Sequence, residues 1–184
     1  MDESDYEDEA ARPDADPVRQ ETLFRQIEDI IGGAGGADDG GDPDAAEDAL
    51  EQICTLLLDE APAYNWVGFY YIDPEQPREL TLGPYAGEPL ERTRIPFGRG
   101  VCGRAAESDD VFVNPETLAT PPAEVAHRDM RAEIAVPVKD EDDVVGVLSV
   151  DSAHPAVFDE NDRTFLRRVG ELAGPLVARW VKQV

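Results

Sequence analysis

The chain has 184 residues, 41% of them hydrophobic, which is enough to build the core of one domain. Its 41 acidic residues outnumber 16 basic ones, and the net charge of −25 disfavours bare DNA, RNA and anionic membranes as partners, because these need basic patches. No apolar run reaches the roughly 18 residues of a membrane span, and the acidic N-terminus lacks the apolar segment of a signal peptide. We therefore expect a cytoplasmic protein that binds neither nucleic acid nor membrane.

Lysine is scarce among the basic residues. Lys139 and Lys182 are the only lysines, and the other 14 bases are arginines. Acid-rich, lysine-poor chains are typical of a cytoplasm with molar salt, where self-repulsion is screened over about 3 Å and net charge maintains solubility. The composition favours a halophilic protein. The alternative is a mesophilic acidic protein with an acidic tail.

The first part of the chain is predicted to hold a tail, a helix and a linker. Residues 1–16 have almost no apolar content and should form a disordered acidic tail. The apolar spacing over residues 17–31 predicts an amphipathic N-terminal helix, and the glycine-rich residues 32–44 predict a flexible linker. A second helix, over residues 44–59, opens the main domain, which we expect to span residues 45–184.

Farther along, the pattern changes to strands and ends in a helix. Strands are predicted at residues 65–73, 79–82, 93–96, 112–114, 133–139 and 144–151, with a helix at 100–108 between the third and fourth. A long amphipathic helix over residues 160–182 closes the chain, with Asp159 and Asp162 placed as a capping box. This order predicts an α+β fold with a mainly antiparallel sheet.

Three glycines, Gly98, Gly100 and Gly103, form a G-x-G-x-x-G pattern around the start of the third predicted helix. A dinucleotide fingerprint needs a buried parallel strand before it, whereas the preceding segment is polar and ends in Pro96, so a nucleotide site is disfavoured. Cys102 lies in the first turn of that helix, where free N–H groups favour an anion such as a thiolate. The residues alone leave Cys102 open between a packing thiol and a site residue.

Neither the cysteines nor the histidines form a recognisable cluster. Cys54 and Cys102 are too few and too far apart for a disulfide framework or a metal site, and His127 and His154 lack metal-ligand spacing. Cys54 falls on the apolar stripe of the second helix and is predicted to be a buried packing thiol. We expect no metal and no cofactor.

Several blocks, in their order and spacing, resemble a GAF domain, in particular its free methionine-R-sulfoxide reductase branch. They are NWVGFYYID, LTLGPYAG, RIPFGRGVCG, AEIAVPV, VVGVLSVDS and FDENDRTFL, within roughly residues 45–180. The resemblance implies a central antiparallel sheet with terminal helices packed on one face and a small-molecule pocket on the other. It also implies pairing through the terminal helices. Since one sheet face cannot easily cover both apolar helix stripes, we expect a homodimer.

The resemblance also implies a cysteine pattern that this chain keeps only in part. The reductase branch uses three cysteines, of which the second matches Cys102. The first falls on Arg92, and the third, the attacking thiol, falls at or beside Ala126, next to His127. Sulfoxide reduction by thiols needs an attacking thiolate and a second thiol that resolves the sulfenic acid. Cys102 alone would therefore depend on an external thiol.

The resemblance implies that the ligand site is better preserved. Trp66 and Tyr70 match the aromatic walls of that site, and Glu133 matches the glutamate before the I-x-V-P strand. Of the two acids in the family's D-x-D-S motif, the second is Asp151, and the first is replaced by Ser149. Two aromatic rings and two carboxylates suit a small ammonium-bearing ligand such as an amino acid.

These features favour a small-molecule-binding, sensory GAF protein with an amino-acid-like ligand. In this interpretation Cys102 lines the pocket together with the aromatic and acidic residues, and no residue is catalytic. The alternative is a free methionine-R-sulfoxide reductase that acts through Cys102 with an external thiol reductant.

Overall fold

The computed structural model describes residues 16–35, 42–91, 93–117 and 129–182. Four helices are present in these ranges: α1 (Pro17–Gly33), α2 (Pro43–Glu60), α3 (Gly100–Ser108) and α4 (Glu160–Val181). Aspartates cap three of them, since Asp16, Asp42 and Asp159 each accept a backbone N–H in the first turn of the helix that follows. The predicted capping box of α4 is confirmed, because Asp162 also accepts from the Asp159 backbone.

Six strands form one antiparallel sheet: β1 (Trp66–Ile72), β2 (Glu79–Ala86), β3 (Arg94–Pro96), β4 (Phe112–Asn114), β5 (Ala132–Asp140) and β6 (Asp143–Ser152). Their order across the sheet is β3-β2-β1-β6-β5-β4, and every neighbouring pair is antiparallel. The α+β class and the antiparallel sheet predicted from the sequence are both confirmed.

The sheet has two differently covered faces. On the helix face, α2 and α4 pack on the strands and α1 packs on α2 and α4, so that residues such as Phe69 and Leu148 are buried with the helices. On the opposite face, here called the site face, the short helix α3 packs on strands β3, β4, β5 and β6. Trp66, Tyr70 and Cys102 belong to the separate cluster on this face. The alternation of side chains along each strand produces this division.

The second half of β2 differs from the prediction, which ended this strand at Leu82. The strand continues through Gly83 and Pro84 to Ala86. Gly68 of β1 pairs with Tyr85, and Tyr70 pairs with Leu82. Two steps along β1 therefore correspond to three along β2, and the extra residue forms a β-bulge at Gly83–Pro84. Because β3 pairs only with residues 79–81, no ladder needs the N–H that proline lacks.

The predicted boundaries near the N-terminus change in a similar way. Helix α1 extends through Gly33 and α2 begins at Pro43, so both ends of the predicted 32–44 linker are helical. Proline is favoured at the first position of a helix because its missing N–H would be unsatisfied there in any case. Residues 36–41 of the linker and residues 1–15 of the predicted tail lie outside the described residues.

The apolar stripes of α1 and α4, from which the homodimer was predicted, are buried within the single chain. Leu23 and Ile27 of α1 are buried within the chain, where α1 adds a layer over α2 and α4. Leu176 and Trp180 of α4 are buried as well, and the Trp180 ring packs on Tyr71 of β1 with centroids 4.9 Å apart.

Among the described residues, Val18 is the exposed large hydrophobic side chain. Both stripes are covered within one chain, because α1 lies on α2 and α4 and not on the sheet, and the homodimer stays a prediction. Of the helices in the described ranges, none has the length and apolar character to cross a membrane.

Candidate functional site

The glycines around the start of α3 allow a tight loop and close packing. Gly98 and Gly100 have φ angles of 77° and 61°, which glycine adopts without strain. Gly103 lies so close to β3 that a Cβ there would be 2.4 Å from the carbonyl oxygen of Pro96. The Gly98 N–H donates to the Gly103 carbonyl at 2.9 Å, which closes the loop. The pattern that resembled a dinucleotide fingerprint is therefore explained by the fit of α3 on the sheet.

Cys102 is buried in the first turn of α3, on the site face. The residue is 2% exposed, and its Sγ donates to Glu133 Oε1 over 3.5 Å. Burial raises the pKa of the thiol well above its ordinary value, and the charges of Glu133 and Asp151 add to the rise. A hydrogen bond from the Ser149 side chain opposes it. The helix N-terminus was expected to favour the Cys102 thiolate only if the sulfur lay outside apolar surroundings. Because the sulfur is buried, the effect of burial on the thiol pKa outweighs that of the helix N-terminus.

Two buried carboxyl groups lie side by side on β5 and β6. Glu133 and Asp151 are directly paired in the antiparallel register, so both side chains project from the site face. Burial raises the pKa of Glu133 well above its ordinary value, and the charge of Asp151 raises it further, while the hydrogen bond with Cys102 lowers it. Glu133 therefore holds its proton at a higher pH than an ordinary glutamate, which suits it to proton transfer.

The aromatic wall is fixed by close contacts around Trp66. Its indole lies across Gly68, where a Cβ would be 2.3 Å from the ring atom Cη2. The ring stacks on Tyr85, with centroids 5.8 Å apart and planes at 19°, and is tilted against Tyr70 at 6.2 Å. Its Nε1 donates to the backbone carbonyl of Glu88 at 3.1 Å. Trp66 and Tyr70 thus lie together on the site face, as their alternation predicted.

The strand register places the acidic and aromatic residues in one row. Trp66 pairs with Asp151, Asp151 with Glu133, and Glu133 with Asn114, which spans four strands. Asn114 was missed by the sequence analysis. Its Oδ1 accepts from the Glu116 N–H at 3.2 Å, so it also shapes the turn after β4. The five predicted ligand-binding residues, Cys102 included, are therefore brought to the same face of the sheet.

Two further residues of the site face were not predicted to belong to the site. Tyr85 was missed because the strand β2 was ended too early, although the residue lies within one of the quoted sequence blocks. Ser149 was noted only as a departure from the family motif, yet its side chain lowers the pKa of the Cys102 thiol. The signal that could have found Ser149 is its position two residues before Asp151, which places both on one face of β6.

The remaining cysteine and the altered cysteine positions lie elsewhere. Cys54 is fully buried among the helices, where it contacts the Pro84 carbonyl at 3.6 Å, and its predicted role as a packing thiol fits this position. Because the sheet separates it from Cys102, the two thiols cannot form a disulfide in this fold. Arg92 and Ala126, matched to the other two cysteines of the reductase branch, lie outside the described residues, as does His127. The described residues contain no group of three or more His, Cys, Asp or Glu side chains arranged to hold a metal ion.

The sheet order, the helices on one face and the acid–thiol cluster on the other define a GAF-like α+β domain. The profile of the GAF domain family matches residues 44–178. The chain therefore belongs to the GAF domain family, which confirms the resemblance seen in its sequence.

Two relatives indicate the range of known proteins to which the chain is similar. Protein YtsP of Bacillus subtilis is 37% identical over 131 residues, which cover 68% of this chain and 79% of the relative. The free methionine-R-sulfoxide reductase of Saccharomyces cerevisiae is 32% identical over 109 residues, covering 59% of this chain and 60% of the relative.

Solved structures with the same fold include both reductase and sensor-like proteins. The free methionine-R-sulfoxide reductase of Neisseria meningitidis, solved in complex with its substrate, superposes with a TM-score of 0.74 at 30% identity, covering 90% of this chain and 92% of that one. A putative GAF sensor protein of Burkholderia vietnamiensis gives a TM-score of 0.70 at 27% identity and covers 85% and 91% of the two chains. The similarity extends to both kinds of GAF protein.

Proposed function

We propose that this GAF protein reduces free methionine-R-sulfoxide, with Cys102 as the reacting thiol and an external thiol as reductant. The observation that carries the proposal is the contact between the Cys102 thiol and the buried Glu133 carboxyl, on the same sheet face as Trp66 and Tyr70. A thiol beside a carboxyl group that retains its proton supplies both groups that sulfoxide reduction needs. The similarity to two named reductases, one solved with its substrate, supports this chemistry over pure ligand binding.

The reaction can be written with one cysteine. The sulfur of Cys102 attacks the sulfoxide sulfur, the oxygen takes a proton from Glu133, and the thiol's own proton returns to Glu133. The sulfoxide oxygen ends on Cys102 as a sulfenic acid, and methionine leaves as the thioether. A first external thiol then displaces water to form a mixed disulfide, and a second releases Cys102 and the oxidised reductant. Cys54 takes no part, because it lies on the helix face.

The other site residues would hold the amino acid. Asp151 would offer negative charge to an ammonium group, and a charge-assisted hydrogen bond is roughly twice as strong as a neutral one. Trp66 and Tyr70 offer aromatic surface to the apolar part of the ligand and to its cation. Both aromatic residues are almost fully buried, so a ligand held against them would be shielded from water.

A second candidate function is ligand binding without turnover, as in a sensory GAF domain. Burial raises the pKa of Cys102, and this favours the inert thiol over the nucleophilic thiolate. The likeness to the putative GAF sensor supports the same alternative. Under this interpretation the site binds a small amino acid, and Cys102 contributes only packing and a weak hydrogen bond.

One assay separates the two functions. Purified protein is incubated with free L-methionine-R-sulfoxide and dithiothreitol, and methionine is quantified by chromatography. We expect methionine from the wild type, none above background from Cys102→Ser, and wild-type rates from the matched control Cys54→Ala if that variant remains folded. The S-sulfoxide serves as a stereochemical control. Absence of methionine with the wild type, together with calorimetric binding of L-methionine, would replace the reductase by the sensory function.

A further inference from the structure

The β-bulge in the middle of β2 changes which side chain of that strand lies opposite Gly68. Leu82 pairs with Tyr70 of β1. Two steps of regular pairing would therefore place Pro84 opposite Gly68, but the extra residue of the bulge places Tyr85 there. Leu82 and Tyr85 are three residues apart, yet both pack against the site-face cluster, which an unbroken strand would not permit. The bulge thus turns the Tyr85 ring to the site face.

The Trp66 indole contacts two tyrosine rings on that face. It stacks on Tyr85, with centroids 5.8 Å apart and planes at 19°, and it is tilted against Tyr70 at 6.2 Å. Trp66 and Tyr70 are each 1% exposed, whereas Tyr85 is half-buried. The ring of Tyr85 is therefore the part of this aromatic group that meets solvent, and it shields the indole.

The chain that follows Tyr85 closes on the same indole through its backbone. Trp66 Nε1 donates to the Glu88 carbonyl at 3.1 Å, and a Cβ at Gly87 would lie 2.7 Å from the ring atom Cδ1. On β1 the ring lies across Gly68. These backbone contacts limit where the indole can lie, and Tyr85 supplies the side-chain surface on which it is stacked. The stacking contact can therefore be removed by substitution without a change to these backbone groups.

We propose that Tyr85 is a positioning residue that stacks on Trp66 and holds the indole in place as a wall of the ligand site. The proposal rests on the proposed function in either of its two forms, because both use this wall to hold the ligand. Tyr85 acts on the ligand through Trp66, so its loss should weaken binding and leave the chemistry at Cys102 intact. The shielding of the indole can also be measured without any ligand. Failure of the proposed function and failure of this proposal are therefore distinguishable.

The ligand-free test is acrylamide quenching of Trp66 fluorescence in a Trp180→Phe background, because Trp66 and Trp180 are the two tryptophans of the chain. Tyr85→Leu removes the stacked ring, and Tyr85→Phe retains it. The matched control is Tyr71→Leu, because Tyr71 is also a half-buried tyrosine and its ring contacts Trp180 on the helix face. Far-UV circular dichroism confirms that each variant is folded.

The second test uses the same variants of residues 85 and 71 in the otherwise unchanged chain, with Trp180 retained. The KM and kcat for free methionine-R-sulfoxide are measured with dithiothreitol as reductant. If the wild type shows no turnover, the Kd for L-methionine is measured by calorimetry instead. A change in KM or Kd reports how well the wall holds the ligand, and kcat reports the reaction itself.

We expect Tyr85→Leu to raise the quenching constant severalfold and to raise KM or Kd about three- to tenfold, with kcat within about twofold of the wild type. Tyr85→Phe and Tyr71→Leu should remain close to the wild type in both tests. An unchanged quenching constant in Tyr85→Leu overturns the proposal, and so does an equal rise in Tyr71→Leu or a fall in kcat at unchanged KM. If the wild type neither reduces the sulfoxide nor binds L-methionine, the proposed function fails, and the quenching result still decides whether Tyr85 holds Trp66.

Discussion

Gly68→Ala tests whether the Trp66 indole occupies the position that organises the site. A Cβ at residue 68 would be 2.3 Å from Cη2 of the indole and 2.8 Å and 2.9 Å from two further ring atoms. These distances are shorter than real Cβ contacts allow, so either the ring or strand β1 must move. Since β1 is paired on both sides in the middle of the sheet, we expect the ring to move.

The cost follows from the contacts that the ring would lose. The bond from Trp66 Nε1 to the Glu88 carbonyl contributes about 1 kcal/mol, and the stacked pair with Tyr85 about 0.5–1.5 kcal/mol. Overpacking of a buried site adds about 1–3 kcal/mol. Because these contributions overlap, we expect Gly68→Ala to lower the free energy of unfolding by about 2–4 kcal/mol.

Denaturant unfolding followed by far-UV circular dichroism measures this change, with Gly32→Ala as the matched control. A Cβ at Gly32 meets nothing within 4 Å inside α1, so alanine there should raise stability by up to about 1 kcal/mol. If Gly68→Ala lowered stability by less than about 0.5 kcal/mol, Trp66 could not lie across residue 68, and the proposed aromatic wall would be wrong.

Two further predictions concern buried carboxyl groups. The pKa of Glu133 is raised above its ordinary value near 4.5, so the folded state binds this proton more tightly than the unfolded state does. The stability that this proton contributes is therefore present at low pH and is lost as pH rises through the raised pKa. Glu133→Gln should therefore become increasingly stable relative to the wild type in denaturant unfolding as pH rises above 4.5, and parallel pH profiles would contradict this. The Tyr64 hydroxyl donates to Asp162 Oδ1 at 2.9 Å in a buried pair, so Tyr64→Phe should lower the free energy of unfolding by about 1–3 kcal/mol at neutral pH; an unchanged denaturation midpoint would exclude that contribution.

Much of the fold could be predicted from the sequence because its periodic patterns are strong. Strand β4 and helix α3 have the predicted bounds, and the long helix α4 starts where its capping aspartate indicated. The second half of β2 could not be predicted, because Gly83-Pro84 is a breaker in isolation and is tolerated only beside a short edge strand. The layer formed by α1 depends on packing between distant parts of the chain, which no local pattern of the sequence records.

The sequence predicts which strand residues share the site face, but it does not predict the electrostatics of that face. Alternation along β1 and β6 places Trp66, Tyr70 and Asp151 on one face without any knowledge of the fold. The 3.5 Å contact between Cys102 and Glu133 depends on how closely α3 approaches β5, which Gly103 permits and no local pattern records. The helix N-terminus was expected to lower the pKa of Cys102 only if the sulfur lay outside apolar surroundings, and burial raises that pKa instead.

Two buried acids in this one domain show how the surroundings divide structural from reactive carboxyl groups. Asp162 is fully buried, yet it accepts hydrogen bonds from the Tyr64 hydroxyl and from the Asp159 backbone N–H, and so stabilises the start of α4. Glu133 is buried beside a second carboxyl group and a thiol, and its pKa rises. Such a group costs stability in the free protein, and a ligand that supplies positive charge lowers that cost. The environment of the Glu133–Asp151–Cys102 cluster therefore supports the proposed chemistry on a bound molecule.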